Sequence, residues 1–240
     1  MTDAGKTVKL AIFDLDGTLT RTNKVDEACF IHALAEEFDV TEPDTDWSSY
    51  THTTDPGITR EILKAKLGRP ATAGEVERVM HRLVALLDQA SLKEPDHFVE
   101  IPGASQALGA LSEDPDWCTA IATGAWESSA RLKLQRAKID VLNLPTAFAD
   151  GLISRESIIK EAIRQSRARY RQAEFDRIVS IGDAVWDVRT ARHLGISFLG
   201  VGRGNREATL RAEGASHVIA DFRNWQRFID RLENAKTPSG

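Results

Sequence analysis

The sequence has little of what marks secreted or membrane proteins. Only two of its 240 residues are cysteines, Cys29 and Cys118, which is too few for a disulfide framework. No run approaches the ~18 apolar residues of a membrane-spanning helix. The N-terminus also lacks the apolar core of a secretory signal. We therefore expect a cytoplasmic protein with no membrane partner.

An excess of positive charge is also missing. Lysine and arginine total 31 residues and aspartate and glutamate total 36, which gives a net charge of -5. Nucleic-acid binding needs a basic surface that releases counterions. We therefore do not expect a nucleic-acid partner. Hydrophobic residues make up 42% and charged residues 28% of the chain, as in ordinary globular proteins.

Short apolar runs that stop at Gly, Asp or Thr are present instead, and helical patterns lie between most of them. Such runs indicate strands that are buried on both faces. Alternating strands and helices predict an α/β fold with a doubly wound, Rossmann-like parallel sheet. The five predicted strands are Val8–Phe13, Cys118–Ala122, Ile178–Ile181, Ile196–Val201 and His217–Ala220.

The stretch between the first two strands has helical periodicity only. Val76, Val79, Leu83 and Leu87 form its clearest apolar stripe. An all-helical block inside a parallel sheet indicates an inserted helical cap. We predict a core domain of residues 1–21 and 98–240 and a cap domain of residues 22–97.

Polar side chains follow the predicted strands where each strand ends. Asp14 and Asp16 follow the first, Thr123 follows the second, and Asp183 and Asp187 follow a later one. Ligands of open parallel sheets bind outside the carboxyl ends of the strands, so these groups should share one crevice. Four carboxylates in one crevice repel each other unless a cation is present. Oxygen ligands without His or Cys favour Mg²⁺.

The order of residues in Asp14–Thr20, DLDGTLT, resembles the first motif of phosphotransferases in the haloacid dehalogenase superfamily. The resemblance implies that Asp14 is the nucleophile. It also implies that Asp16 is the acid/base and lends its backbone carbonyl to the metal. Thr18 would lie in the phosphate-facing turn. A carboxylate nucleophile would form an aspartyl-phosphate and so split the reaction into two easier steps.

Two further motifs of this superfamily have counterparts downstream. Thr123-Gly124 is similar to the second motif, in which a hydroxyl and a backbone N–H hold phosphoryl oxygens. Gly182–Asp187 is similar to the fourth motif, which implies that Asp183 and Asp187 supply metal carboxylates. The metal set implied by the resemblance is thus Asp14, Asp16, Asp183 and Asp187.

The superfamily also places a cation on the phosphoryl group, usually a lysine followed by proline. This sequence lacks that pair at the corresponding place and offers Arg155 or Lys160. Arg155 is favoured, because the start of its helix should face the site and guanidinium matches phosphate geometry.

The cap carries a second resemblance. Gly57–Glu61 resembles the specificity loop in helical caps of phosphoglycolate phosphatase and β-phosphoglucomutase relatives. This implies that Arg60 contacts a second anionic group of the substrate and that His52 and Asp55 contact hydroxyls.

The sequence therefore predicts a Mg²⁺-dependent phosphatase that acts on a small phosphorylated metabolite. A dehalogenase is disfavoured, because Asp16 is present. A phosphomutase with the same core and cap stays open, and so does a non-catalytic binding protein on this fold. A phosphonatase would need a cap lysine, for which Lys24, Lys64 and Lys66 are the candidates.

Overall fold

A computed structural model describes residues 8–240 of the chain. Its centre is a six-stranded, entirely parallel sheet in the order β3-β2-β1-β4-β5-β6. The strands are β1 (Lys9–Phe13), β2 (Trp117–Ala122), β3 (Thr146–Ala147), β4 (Arg177–Gly182), β5 (Ser197–Val201) and β6 (His217–Ile219). The predicted doubly wound α/β fold is confirmed, and the two-residue β3 is an addition to the five predicted strands.

Helices cover both faces of this sheet. They are α4 (Ala104–Glu113), α5 (Glu127–Arg136), α6 (Arg155–Tyr170), α7 (Val185–Leu194), α8 (Asn205–Ala212) and α9 (Trp225–Glu233). Strand β1 shows why both faces are apolar. Ala11 and Phe13 pack into one hydrophobic cluster with α4 and α9, while Leu10 and Ile12 pack into another with α6. Alternate side chains of a strand point to opposite faces, so a continuous apolar strand needs cover on both.

Residues between β1 and β2 form a separate helical layer. It consists of α1 (Asn23–Phe38), α2 (Asp55–Leu67) and α3 (Ala73–Lys93), with short 3-10 turns at Trp47–Ser49 and Pro95–His97. A capping box begins α3: the Thr72 side chain accepts from the Glu75 N–H, and Glu75 accepts from the Thr72 N–H. The three helices share their own apolar core, against which Trp126 and Leu132 pack from the other layer. The exact division at residues 21/22 and 97/98 stays a prediction.

The two connections to this helical layer run side by side. The Arg21 N–H donates to the Val99 carbonyl at 2.9 Å, and the Ile101 N–H donates to the Leu19 carbonyl at 2.7 Å. An isolated antiparallel bridge joins Thr20 and Glu100 between them. The helical layer, called the cap below, is thus attached through two linkers that are hydrogen-bonded to each other.

Candidate active site

Three buried carboxylates converge at the carboxyl ends of two central strands. Asp14 follows β1, and Asp183 and Asp187 follow β4. Each offers an oxygen within 4.8 Å of the others. Because β1 and β4 are adjacent and parallel, their carboxyl ends meet at one edge of the sheet.

Local backbone structure fixes this carboxylate cluster. The Asp14 N–H donates to the Ile181 carbonyl at 2.9 Å, which continues the ladder into the site. Asp187 lies in the first turn of α7, and its Oδ2 accepts from the Ala184 N–H at 3.1 Å. A Cβ on Gly17, which has φ +79°, would lie 2.0 Å from Asp183 Oδ2. Only glycine suits both that backbone angle and that close approach.

Burial and mutual repulsion oppose the ionisation of these groups. Burial raises the pKa of Asp14 well above its usual value, and the neighbouring Asp187 and Asp183 add to this, whereas Arg155 opposes it. Burial raises the pKa of Asp183 to about 7 despite the nearby Arg206. Burial also raises the pKa of Asp187, against the effect of Arg155. Full ionisation of the cluster is therefore unfavourable unless a further positive charge lies beside it.

The donor set fits a hard divalent cation. All three converging side chains offer carboxylate oxygens, the ligands that Mg²⁺ prefers. Asp183 Oδ2 already has one neutral and one charged partner, since it accepts from Asn23 Nδ2 at 3.2 Å and pairs with Arg206 Nη1. The predicted ligands Asp14, Asp183 and Asp187 thus lie together. The Asp16 side chain points elsewhere, and its contribution to the predicted set is a backbone carbonyl.

Arg155 reaches the carboxylate cluster from the first position of α6. Its Nη1 lies 3.2 Å from Asp14 Oδ1 and 3.2 Å from Asp187 Oδ1. Its Nε donates to the carbonyl of Thr53, a cap residue, at 2.8 Å. The guanidinium also lies over the Trp186 ring, 5.7 Å from the centroid. A single arginine therefore contacts the predicted nucleophile and the cap.

The second-motif residues border the same space. Thr123 is buried, and its Oγ1 accepts from the Ala125 N–H at 3.2 Å. A Cβ on Gly124 would lie 2.7–2.8 Å from the Arg155 guanidinium, so a side chain here would displace the arginine. Thr18 is buried too, and its hydroxyl donates to Asp14 Oδ2 at 3.4 Å.

Both carboxylate oxygens of Asp16 are held. Its Oδ2 accepts from Lys133 Nζ at 2.5 Å, and its Oδ1 accepts from the Thr22 hydroxyl at 2.5 Å. Sequence reasoning did not find Lys133, which lies on α5 with its side chain 0% exposed. The available signal was its place beside Ala130, Leu134 and Ala137, the apolar stripe of that helix.

A cavity of about 420 Å³ lies between the cap and the carboxyl edge of the sheet. Asp14, Asp16, Thr123, Gly124, Arg155 and Asp183 line its core side. Asn23, Lys24, Asp26, Glu27, Phe30, Trp47, Thr53, Asp55 and Ile58 line its cap side. These six predicted core residues and one predicted cap residue, Asp55, therefore meet in one space.

Three other predicted site residues do not join this space within the described chain. His52, Arg60 and Lys160 are exposed, and none of them is among the residues that line the cavity. Arg60 follows Thr59 on α2, and the neighbouring position Ile58 faces the cavity in its place. Between the two alternatives for the phosphate-binding cation, Arg155 contacts Asp14 and Lys160 stands on an exposed position of α6.

Among residues 8–240, no helix combines the length and the apolar character needed to cross a bilayer.

Comparison with known proteins gives a family and several similar folds. A family model described as haloacid dehalogenase-like hydrolase matches residues 8–195. No curated protein sequence matches the chain. A hydrolase from Pseudomonas syringae is similar in structure, with TM-score 0.70 and 24% identity over 95% of this chain and 99% of that one.

Two other solved structures have the same fold at lower identity. A candidate β-phosphoglucomutase from Bacteroides vulgatus has TM-score 0.64 and 16% identity, over 96% of this chain and 91% of that one. A predicted phosphoglycolate phosphatase from Haemophilus somnus has TM-score 0.62 and 15% identity, over 92% of this chain and 98% of that one. The family match covers most of the chain and includes the three carboxylates, and the chain belongs to the haloacid dehalogenase-like hydrolases.

Proposed function

We propose that this hydrolase cleaves small phosphate monoesters, with Asp14 as nucleophile and Mg²⁺ as cofactor. The observation that carries the proposal is the position of Asp14. Its carboxylate lines the cavity, contacts Arg155, and lies beside the carboxylates of Asp183 and Asp187. Phosphoryl transfer depends mainly on positioning and on neutralising the phosphoryl oxygens, and this arrangement serves both needs.

Each residue has a defined part in the proposed reaction. The Asp14 carboxylate attacks phosphorus, and an O–P bond to Asp14 forms as the bond to the leaving oxygen breaks. Asp16 transfers its proton to that leaving oxygen. Arg155, the Thr123 hydroxyl and the Gly124 N–H hold the phosphoryl oxygens.

The second half releases phosphate. Asp16, now a carboxylate, takes a proton from a water molecule whose oxygen attacks the same phosphorus. The Asp14–phosphorus bond breaks, and Asp14 is regenerated as a carboxylate. Asp14, Asp183, Asp187 and the Asp16 carbonyl would hold Mg²⁺, which when bound neutralises charge on the phosphoryl oxygens.

Hydrolysis of p-nitrophenyl phosphate tests this proposal. We expect turnover with Mg²⁺, a loss of at least about 100-fold after removal of divalent ions with EDTA, and recovery when Mg²⁺ is added in excess. Equal rates with and without EDTA would contradict the metal assignment.

Failure on every monoester would contradict the phosphatase proposal, and two further panels would then separate the alternatives. Turnover of sugar phosphates to isomers would indicate a mutase, and turnover of phosphonates a phosphonatase. The exposure of Lys24, Lys64 and Lys66 argues against the latter, because a Schiff-base lysine is activated by burial or by a neighbouring cation. If all panels were silent, a binding role on this fold would be favoured.

The charges on the cap side of the cavity bear on the substrate. Asp26, Glu27, Asp55 and Lys24 line it; Glu27 and Lys24 are exposed, and Asp26 pairs with the buried Lys133. Burial and the nearby Asp26 raise the pKa of Asp55 to about 8, so this space already resists another negative charge. A second anion on the leaving group would face carboxylates rather than Arg60.

We therefore expect a preference for uncharged leaving groups. Phosphoglycolate and 2-hydroxyethyl phosphate are matched in size and differ in one carboxylate. The kcat/KM for 2-hydroxyethyl phosphate should exceed that for phosphoglycolate by at least about tenfold, since nearby like charges cost more than ~1 kcal/mol. Above about pH 8, where Asp55 is ionised, the Asp55→Asn variant should bring the two kcat/KM values closer together. A preference for phosphoglycolate, with KM raised by Arg60→Ala, would contradict the expectation and support the predicted role of Arg60.

A further inference from the structure

A buried lysine joins the predicted acid/base to the cap. Lys133 Nζ lies 2.5 Å from Asp16 Oδ2 and 2.7 Å from Asp26 Oδ1, and its side chain is 0% exposed. Asp16 follows β1, Asp26 lies in the first turn of the cap helix α1, and Lys133 lies on α5. One ammonium group therefore bridges the two layers beside the cavity.

Burying a lysine is costly unless its charge is paired. Desolvation alone would lower the pKa of Lys133, but the carboxylates of Asp16 and Asp26 outweigh it and place the pKa above its usual value. The lysine is therefore charged, and removing it would leave two partly buried carboxylates facing each other without a cation. A buried ion pair is often no more stabilising than apolar packing, so the lysine has a reason other than stability to be buried here.

The hydrogen bonds around Asp16 indicate that reason. Lys133 holds Oδ2, and the buried Thr22 hydroxyl holds Oδ1 while also contacting Thr20 Oγ1 at 2.5 Å. The Asp16 carboxylate is thus fixed at both oxygens, on the cavity wall and apart from the Asp14–Asp183–Asp187 cluster. A proton donor works only when it is held in reach of the leaving atom.

We propose that Lys133 is a positioning residue for Asp16: its ammonium group, together with the Thr22 hydroxyl, sets the orientation of the Asp16 carboxyl group on the wall of the cavity. Through Asp26 the same lysine makes this orientation depend on a closed cap. The inference rests on the proposed function of Asp16 and adds Lys133 and Asp26 to it.

Leaving groups that differ in their need for a proton test this role. 2,4-Dinitrophenolate departs without a proton, whereas an alkoxide must be protonated. Single-turnover cleavage, with enzyme in excess, measures the first step for 2,4-dinitrophenyl phosphate and 2-hydroxyethyl phosphate. In Lys133→Met we expect the rate for the alkyl ester to fall at least about tenfold more than the rate for the dinitrophenyl ester. The matched control is Lys64→Met, an exposed cap lysine, for which both rates should stay at wild-type values.

A folding defect is kept apart from the proposed role by a second variant. Lys133→Met combined with Asp26→Leu removes the isolated cap carboxylate and leaves an apolar pair. We expect its thermal stability to recover toward wild type while the selective loss on the alkyl ester persists. Equal losses on both esters, or full recovery of the alkyl rate in the double variant, would overturn the inference. Wild-type protein inactive on both esters would instead overturn the proposed function.

Discussion

The Asp14→Asn variant should lose at least about 10³-fold in kcat on p-nitrophenyl phosphate while remaining folded. Asparagine keeps the shape of aspartate but cannot form the proposed O–P bond, and removal of a covalent nucleophile is among the costliest changes an enzyme can suffer. The thermal stability of the variant should not fall along with its activity. Asp14 is one of three buried, mutually repelling carboxylates, so replacing its charge relieves repulsion as well as removing the pair with Arg155.

Two measurements check this result together. Rapid quenching with ³²P-labelled substrate should trap acid-stable label on wild-type protein and none on the variant. Thermal unfolding without added metal should give a melting temperature for the variant at or above that of wild type. If the variant kept more than about a tenth of the wild-type kcat and as much ³²P label as wild type, another group would be attacking phosphorus.

Replacement of Arg155 should have the second-largest effect. Arg155→Met should lower kcat by about 10²–10³-fold, the usual cost of losing a preorganised charge on the reacting group. Nη1 lies 3.2 Å from Asp14 Oδ1, so the guanidinium stands directly beside the proposed nucleophile. Arg155→Lys should recover part of the loss, because it restores charge without the planar fork that also reaches the Thr53 carbonyl.

Lys160→Met is the comparison variant for Arg155→Met, because Lys160 was the alternative candidate for the phosphate-binding cation. Lys160 lies five residues along the same helix and is exposed. We expect its kcat to stay within about twofold of wild type, as for most exposed substitutions. A large loss of kcat in Lys160→Met with a small loss in Arg155→Met would assign the phosphate-binding cation to Lys160. It would also require α6 to present another face to the substrate.

The core sheet was predictable because its signal is local. Runs such as Leu10–Phe13 are apolar on every residue, which favours strands covered on both faces, and they end in residues that cannot continue them. Strand β3 escaped prediction since Thr146 and Ala147 are too few to form a run. The pairing of Ile121 with Thr146 that defines β3 is a tertiary contact.

The residues of the site also divide into those with a local signal in the sequence and those placed by tertiary contacts. Asp14, Asp183 and Asp187 were predictable because strand ends of a parallel sheet bring them together. Lys133 was not, because a lysine in a helix rich in Arg, Gln and Ser resembles a solvated position until the cap packs over it. The position of Arg60 was not predictable for a related reason. Packing of α2 against α3 and the core decides which face of α2 turns inward.

The paired linkers limit how substrate enters. Two linkers that are hydrogen-bonded to each other cannot slide independently, so we expect the cap to move relative to the core by rotating about them. Any such rotation separates Thr53 from Arg155 and Asp26 from Lys133 in one movement. We therefore expect substrate entry and the proposed cleavage of the P–O bond to occur in different conformations, with Arg155 and Lys133 in contact with the cap in only one of them.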